Sequence, residues 1–450
     1  MHRHADGEIH DSFQLVEYHH LGNERLDVSY ADTESSFSRR WNRAMHLKCF
    51  SRSILLLASL AFGISPAAAQ KLYDPGASDT EIKIGNIMPY SGSLSAYATI
   101  GKTIAAYFEK INEEGGINGR KINFISYDDS FNPSKTVEHA RKLVESDNVL
   151  LIFQSLGTTT NQAIQEYMNL KKVPQLFVAS GSSNFGDAKK FPWTMGWQPT
   201  YESEGRIYAK YLLQYHPTGK IAILYQNDEA GRDYVRGFKA GLNGRMEVVR
   251  EISYEPSDPT INSQVVLLKS SGADIFFNQT TPKFAAQAIK KLAELDWKPI
   301  HLLASVSNSV GAVYKPAGLE NAKGVLSSNY TKDPTDPAWN DDSARKEWAA
   351  FMDKYYPGGD QSSTFSVYGY LTAQTLVQVL KQCNNNLTRE NVMKQARNLK
   401  GLELGMLLPG ITINTGLDDY HPIEQMQMSR FNGVYSERFG PVISSQNDGR

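Results

Sequence analysis

Between residues 81 and 305 the chain alternates short apolar runs with longer amphipathic stretches. The run 82–88 (IKIGNIM) reads as a first strand, ending at Pro89-Tyr90-Ser91-Gly92. Ile100, Ile104, Phe108 and Ile111 then recur at helical spacing, and Gly115-Gly116 stops that helix. A strand over 121–127 closes at Asp128-Asp129, a helix follows over 134–146, and two more apolar runs, in 150–161 (LLIFQSLGTTTN) and 175–182 (QLFVASGS), stop at small and hydroxylated residues. Each of the two reads as a buried parallel strand ending at a crevice. Ala163, Ile164, Tyr167 and Met168 give the helix between them its apolar face. Further on, helices are expected at about 202–215, 231–243, 261–271 and 282–296, and strands at 220–226, 246–254, 273–278 and 300–304. This alternation predicts an α/β protein of right-handed βαβ units with parallel sheets, either one large sheet or two smaller ones. The turn at 196–200 (GWQPT) is the expected crossing between lobes. The second half adds helices at about 341–356, 366–382 and 388–399 and a strand-like 424–431.

A length of 450 residues, 41% hydrophobic and 21% charged, suits a globular protein with room for two domains. The net charge of −1 gives no electrostatic case for nucleic acid or an anionic membrane. The fold is not expected to begin at residue 1. From Met45, Lys48 and Arg52 form a positive region, 54–64 an apolar one, and Ala67-Ala68-Ala69 a small-residue cleavage site: a secretory signal peptide over 45–69, too short for a membrane span. Signal peptides act from the N-terminus, so residues 1–44 are read as a wrongly assigned upstream start; residues 70–80 are a linker, and the mature protein is periplasmic. Cys49 leaves with the signal, and Cys383, alone, is read as a small buried helix residue.

The candidate chemistry sits where the first crevice strand ends. Thr158, Thr159 and Thr160 fall at a helix start, where unpaired N–H groups and the positive dipole end can hold a small anion such as a carboxylate. Catalytic motifs are wanting. The segment 96–103 (AYATIGKT) resembles a phosphate loop but has Ala96 where that loop needs Gly. No G-x-G-x-x-G, G-x-S-x-G, H-E-x-x-H or C-x-x-C occurs, and beyond the leader only His139, His216, His301 and His421 remain, scattered. No cofactor or metal is implied, and binding without bond chemistry is the expectation. A secreted hydrolase would need an activated nucleophile, and none is assembled.

Several segments, in order, resemble the leucine/isoleucine/valine-binding family of periplasmic solute-binding proteins of ABC importers. They are IKIG at 82–85, SGSLSAY at 91–97, NEEGGING at 112–119, YDD at 127–129, GTTT at 157–160, ASG at 179–181 and AGL at 317–319. The resemblance implies two Rossmann-like lobes joined by a three-stranded hinge, a clamp that closes on its ligand and is read by an inner-membrane permease, and a monomer. Carried over, lobe 1 takes 81–200 with about 331–404, and lobe 2 takes 201–330 with about 405–445. The resemblance places the ligand carboxylate at Thr158, Thr159, Ser180 and Gly181, with Tyr97 and Leu156 beside them and Phe365 as an aromatic wall. In lobe 2 the family's acidic partner for an ammonium group aligns with Val306, and its cleft tyrosines with Ala230 and Thr280. An unpaired buried ammonium costs several kcal/mol. A carboxylate with an uncharged tail, such as an aromatic or fatty acid, or a neutral amide, therefore fits better than an α-amino acid. Glu204 or Asp228 would supply the charge if the register shifts by a few residues. A periplasmic sensor serving a signalling partner is the alternative role.

Overall fold

The computed structural model describes residues 71–444, so the expected upstream segment 1–44 and signal peptide 45–69 lie outside the described residues. Five strands form the first sheet: β1 (Glu81–Met88), β2 (Lys121–Asp128), β3 (Leu151–Phe153), β4 (Gln175–Val178) and β5 (Thr194–Gly196). Their order is β2-β1-β3-β4-β5 and every pair is parallel. The second sheet contains β6 (Ile221–Gln226), β7 (Val248–Tyr254), β8 (Ile275–Gln279), β9 (Ile300–Leu303) and β10 (Leu326–Asn329), parallel in the order β7-β6-β8-β9-β10. β11 (Gln425–Phe431) and β12 (Ser436–Ser444) continue it antiparallel from β10. Both parallel sets have the same doubly wound order. Each therefore has a point where the connections switch faces, between β1 and β3 and between β6 and β8, and such points open crevices at the strands' carboxyl ends.

Among the described residues, ten helices cover the sheets: α1 (Ala98–Glu113), α2 (Pro133–Arg141), α3 (Thr158–Lys171), α4 (Tyr201–Tyr215), α5 (Glu229–Leu242), α6 (Asn262–Lys269), α7 (Pro282–Glu294), α8 (Ser343–Tyr355), α9 (Thr364–Cys383) and α10 (Arg389–Ala396), with shorter helical turns between some of them. Burial on both faces explains the unbroken apolar strands: Leu151, Ile152 and Phe153 of β3 are fully buried, as are Ile221 to Leu224 of β6. α9 is apolar nearly all round because it runs through the first lobe's core, where Val367, Leu371, Leu376 and Leu380 have no exposed surface.

The chain passes between lobes three times: after β5 by 197–200, after β10 by 330–332, and before β11. The third passage comes later than residue 405. Met406, Leu407, Leu408, Ile411, Ile413, Tyr420 and Ile423 pack in the same cluster as α9 and β3, so the return to lobe 2 falls near residue 424. The described part of the expected linker is also ordered into the fold. Leu72 and Tyr73 pair with Asn386 and Leu387, the Arg120 guanidinium reaches the Tyr73 hydroxyl (2.6 Å) and the Asn385 amide oxygen (3.0 Å), and Arg389 N–H donates to Asp74 (2.7 Å). Cys383 is buried on α9, as its reading required.

Candidate functional site

The carboxyl ends of both sheets face one cavity with about 980 Å³ of space free of protein atoms, its mouth included. On the lobe 1 side, β3 ends in a sharp step. Gln154 takes φ of 54°, Leu156 bridges to Ala179, and Gly157 takes φ of 105° before α3 begins. A Cβ at Gly157 would overlap the Phe131 ring and stand 2.6 Å from the Thr160 hydroxyl, so only glycine fits there. α3 has no side-chain cap, and Gly157 and Thr158 line the cavity. Thr158 Oγ1 and Ser180 Oγ lie 2.7 Å apart, and Ser180 Oγ also accepts from Ser182 N–H. One hydroxyl proton closes that pair, which leaves the other free to donate.

The lobe 2 side is built from strand ends and helix starts: Gln226 ends β6, Gln279 ends β8, Asn329 ends β10, and Thr280, Thr281, Ser305 and Val306 follow strands. Aromatic rings close the remaining faces. Tyr97 and Phe365 lie 4.9 Å apart between centroids, and Tyr201 stacks on Tyr234 at 4.3 Å. Burial holds the phenols of Tyr97, Tyr201, Tyr234 and Tyr368 above their ordinary range, so all four remain protonated donors at neutral pH.

The lobes are closed on each other. The Tyr97 hydroxyl donates to the Val306 carbonyl (3.0 Å) and the Thr364 hydroxyl to the Asn308 carbonyl (2.9 Å). Gly311 N–H donates to the Ser362 carbonyl (3.0 Å), and Ser183 N–H to the Asp233 carboxylate (3.0 Å).

Electrostatically the wall is unusual in what it omits: among the described residues, no Asp, Glu, Lys, Arg or His lines it. The two carboxylates that a shifted register would bring in, Glu204 and Asp228, are engaged elsewhere. Glu204, 1% exposed, accepts from Ser305 N–H (2.6 Å), Ser305 Oγ (2.7 Å), Tyr208 (2.7 Å) and Tyr234 (3.1 Å). Burial pushes its carboxyl up, and those donors offset part of the rise. Asp228 caps α5 through Gly231 N–H (3.2 Å) and accepts from Gln226 Nε2 (2.6 Å); burial raises it too. Meanwhile first-turn or cap residues of five helices line the cavity: Thr158 of α3, Tyr201 of α4, Gly231 of α5, Thr281 of α7 and Phe365 of α9. Helix starts present positive partial charge.

The family model "Periplasmic binding protein" matches residues 81–435. The chain belongs to that family. It is 24% identical over 317 residues to a Leu/Ile/Val-binding protein homolog 2 of Brucella abortus, across 69% of this chain and 81% of the relative. Among solved structures, it resembles a fatty acid ABC transporter substrate-binding protein from Thermomonospora curvata, with a TM-score of 0.71, 21% identity, and coverage of 84% of this chain and 95% of the other. It also resembles a solute-binding protein of an ABC transporter from R. palustris in complex with benzoate, with a TM-score of 0.69, 18% identity, and coverage of 81% and 98%. These proteins bind solutes rather than transform them, and the two-lobed clamp is their fold.

Within this periplasmic binding protein, Tyr97, Leu156, Thr158, Thr280, Val306 and Phe365 line the cavity. Thr159, Ser180 and Gly181 do not. Thr159 is half-buried, and the Ser180 hydroxyl pairs with that of Thr158. Gly181 makes room for Tyr201, whose ring would be 2.6 Å from a Cβ there and whose N–H donates to the Gly181 carbonyl. Asn161 is spent on the Ser155 and Gly157 carbonyls. Ala230 lines the wall as expected, but tyrosines come from Tyr201, Tyr234, Tyr330 and Tyr368 instead. The sequence reading passed over Gln198, Gln226, Gln279 and Asn329. Their signal was present: each is a polar residue terminating a buried run or sitting at the crossing turn.

Proposed function

We propose that the protein is the solute receptor of an ABC importer, working outside the cytoplasm and handing its ligand to a membrane permease. Its ligand, on this reading, is a small organic acid with an uncharged aromatic or aliphatic tail. The observation that carries the choice is the cavity wall, where five helix starts meet and no charged side chain does. A carboxylate gains from the N–H groups at the start of α3 and from the Thr158–Ser180 hydroxyl pair. An α-ammonium group there would be buried without a counter-charge, because Glu204 and Asp228 are consumed by other donors. The fatty acid and benzoate proteins of like fold support an acid ligand, and the aromatic walls suit its tail. A thermal-shift screen is the test. Aromatic and short fatty acids at 100 times their dissociation constant should add about 2.7 kcal/mol of stability. Stabilisation by leucine, isoleucine or valine but by none of the acids overturns the choice of ligand.

A further inference from the structure

We infer that the lobe 2 end of the cavity recognises a second, uncharged group on the ligand, one that both donates and accepts hydrogen bonds, such as a carboxamide or a phenolic hydroxyl. The inference rests on the reading of this cavity as the acid-binding site. Its basis is an inventory of the polar atoms on that wall. Gln226 is satisfied by Asp228 and the Tyr254 hydroxyl, Thr280 Oγ1 donates to Asn278, and Ser305 is spent on Glu204. Two amide side chains on that wall keep buried polar atoms that meet no protein partner among the described residues. Gln279 is 4% exposed, and neither its Nε2 nor its Oε1 meets a protein partner. Asn329 is 8% exposed; its Oδ1 accepts from Asn308 Nδ2 (2.6 Å), while its own Nδ2 meets none. Both line the cavity and both end parallel strands of lobe 2, β8 and β10.

Buried amides without partners are rare because leaving them unpaired is costly. A ligand with a purely hydrocarbon end would leave two donors and one acceptor unpaired inside the closed clamp. A cation would meet two donors it cannot use. An end group carrying both an acceptor for the amide N–H groups and a proton for Gln279 Oε1 satisfies them together. Sites built to bond a polar group reject analogues that lack it far more strongly than apolar pockets reject an extra methylene. The ligand is therefore two-ended: an anionic end at α3 and a neutral polar end at Gln279 and Asn329, with the aromatic walls between.

Calorimetric titration of the protein with benzoate, hexanoate, para-hydroxybenzoate, para-carbamoylbenzoate and neutral benzamide tests this. At least one of the two polar-ended acids should bind about tenfold or more tightly than benzoate and hexanoate. Gln279→Met should bring that acid to within about threefold of benzoate, both measured on the variant, because the bonds that favour the polar end are gone. Gln279→Leu and the unfolding midpoint of each ligand-free variant guard against a folding defect. If benzoate or hexanoate binds as tightly as both polar-ended acids, the inference is overturned and the acid reading stands. If benzamide alone binds, and Gln279→Met abolishes it, the polar end stands and the acid reading falls. Silence from all five probes overturns both.

Discussion

At the residue scale, three threonines in a row looked equivalent in the sequence, and helical rotation separates them. Thr158 faces the cavity, Thr160 turns inward to donate to the Leu156 carbonyl (2.5 Å), and Thr159 is left half-buried outside. The spacing of 100° per residue makes this unavoidable once the helix is placed, but the placement depends on Gly157 and on what packs around it. Asp233 makes a residue-scale prediction. It sits on α5 and accepts from Ser183 of the opposite lobe, and burial pushes its carboxyl up to about 6, with the serines and the half-exposed Arg236 drawing it only part of the way back. The folded carboxyl thus holds a proton that the unfolded one, near 3.8, has already released. Folding takes up a proton in that window, so this group's contribution to stability falls as pH rises from about 4 to about 6 and is level above. Unfolding midpoints measured across pH for the wild type and Asp233→Asn should differ in slope within that window; identical slopes would refute the assignment.

At the element scale, strands and helices with a clean period were legible, and those whose burial is polar were not. β10 (LSSN) carries one large apolar residue; its serines are buried because Ser327 donates to the Leu303 carbonyl (2.9 Å) and Ser328 contacts Tyr208. Nothing in a hydrophobic pattern announces such a strand. β5 and β12 were missed likewise, the one for its three-residue length and the other for its half-exposed position at the sheet edge. Asp228 caps α5 by accepting from Gly231 N–H, a role that its place in the sequence reading, as a possible counter-charge, did not give it. Replacing Asp228 by Ala should cost about 1 kcal/mol of stability, and Asp228→Asn, which keeps the acceptor without the buried charge, should cost less. Chemical unfolding of the two variants decides; equal losses would mean that the cap contributes little.

At the scale of the whole molecule, closure is held by a few hydrogen bonds from lobe to lobe, on both sides of the cavity. Such bonds exist only in the closed form, so each biases the open–closed equilibrium that a ligand shifts. Tyr97→Phe keeps the ring against Phe365 but removes the donor to the Val306 carbonyl. With a typical net hydrogen bond worth about 1 kcal/mol, affinity for a bound acid should fall about fivefold. Small-angle scattering should then need more ligand to reach the compact form; an unchanged titration would remove Tyr97 from the closure mechanism. The sequence by itself determined the alternation of elements, the crevice at the end of β3, the crossing at GWQPT and the family, because periodicity, glycine placement and motif order are local properties of a chain. Only the tertiary structure decided which polar residues share the cavity, that Glu204 and Asp228 are occupied elsewhere, and that Gln279 and Asn329 remain unpaired. Hydrogen-bond satisfaction depends on partners far apart in the chain, 120 residues for Tyr208 and Ser328 and 209 for Tyr97 and Val306, and no local pattern encodes which of those partners arrive.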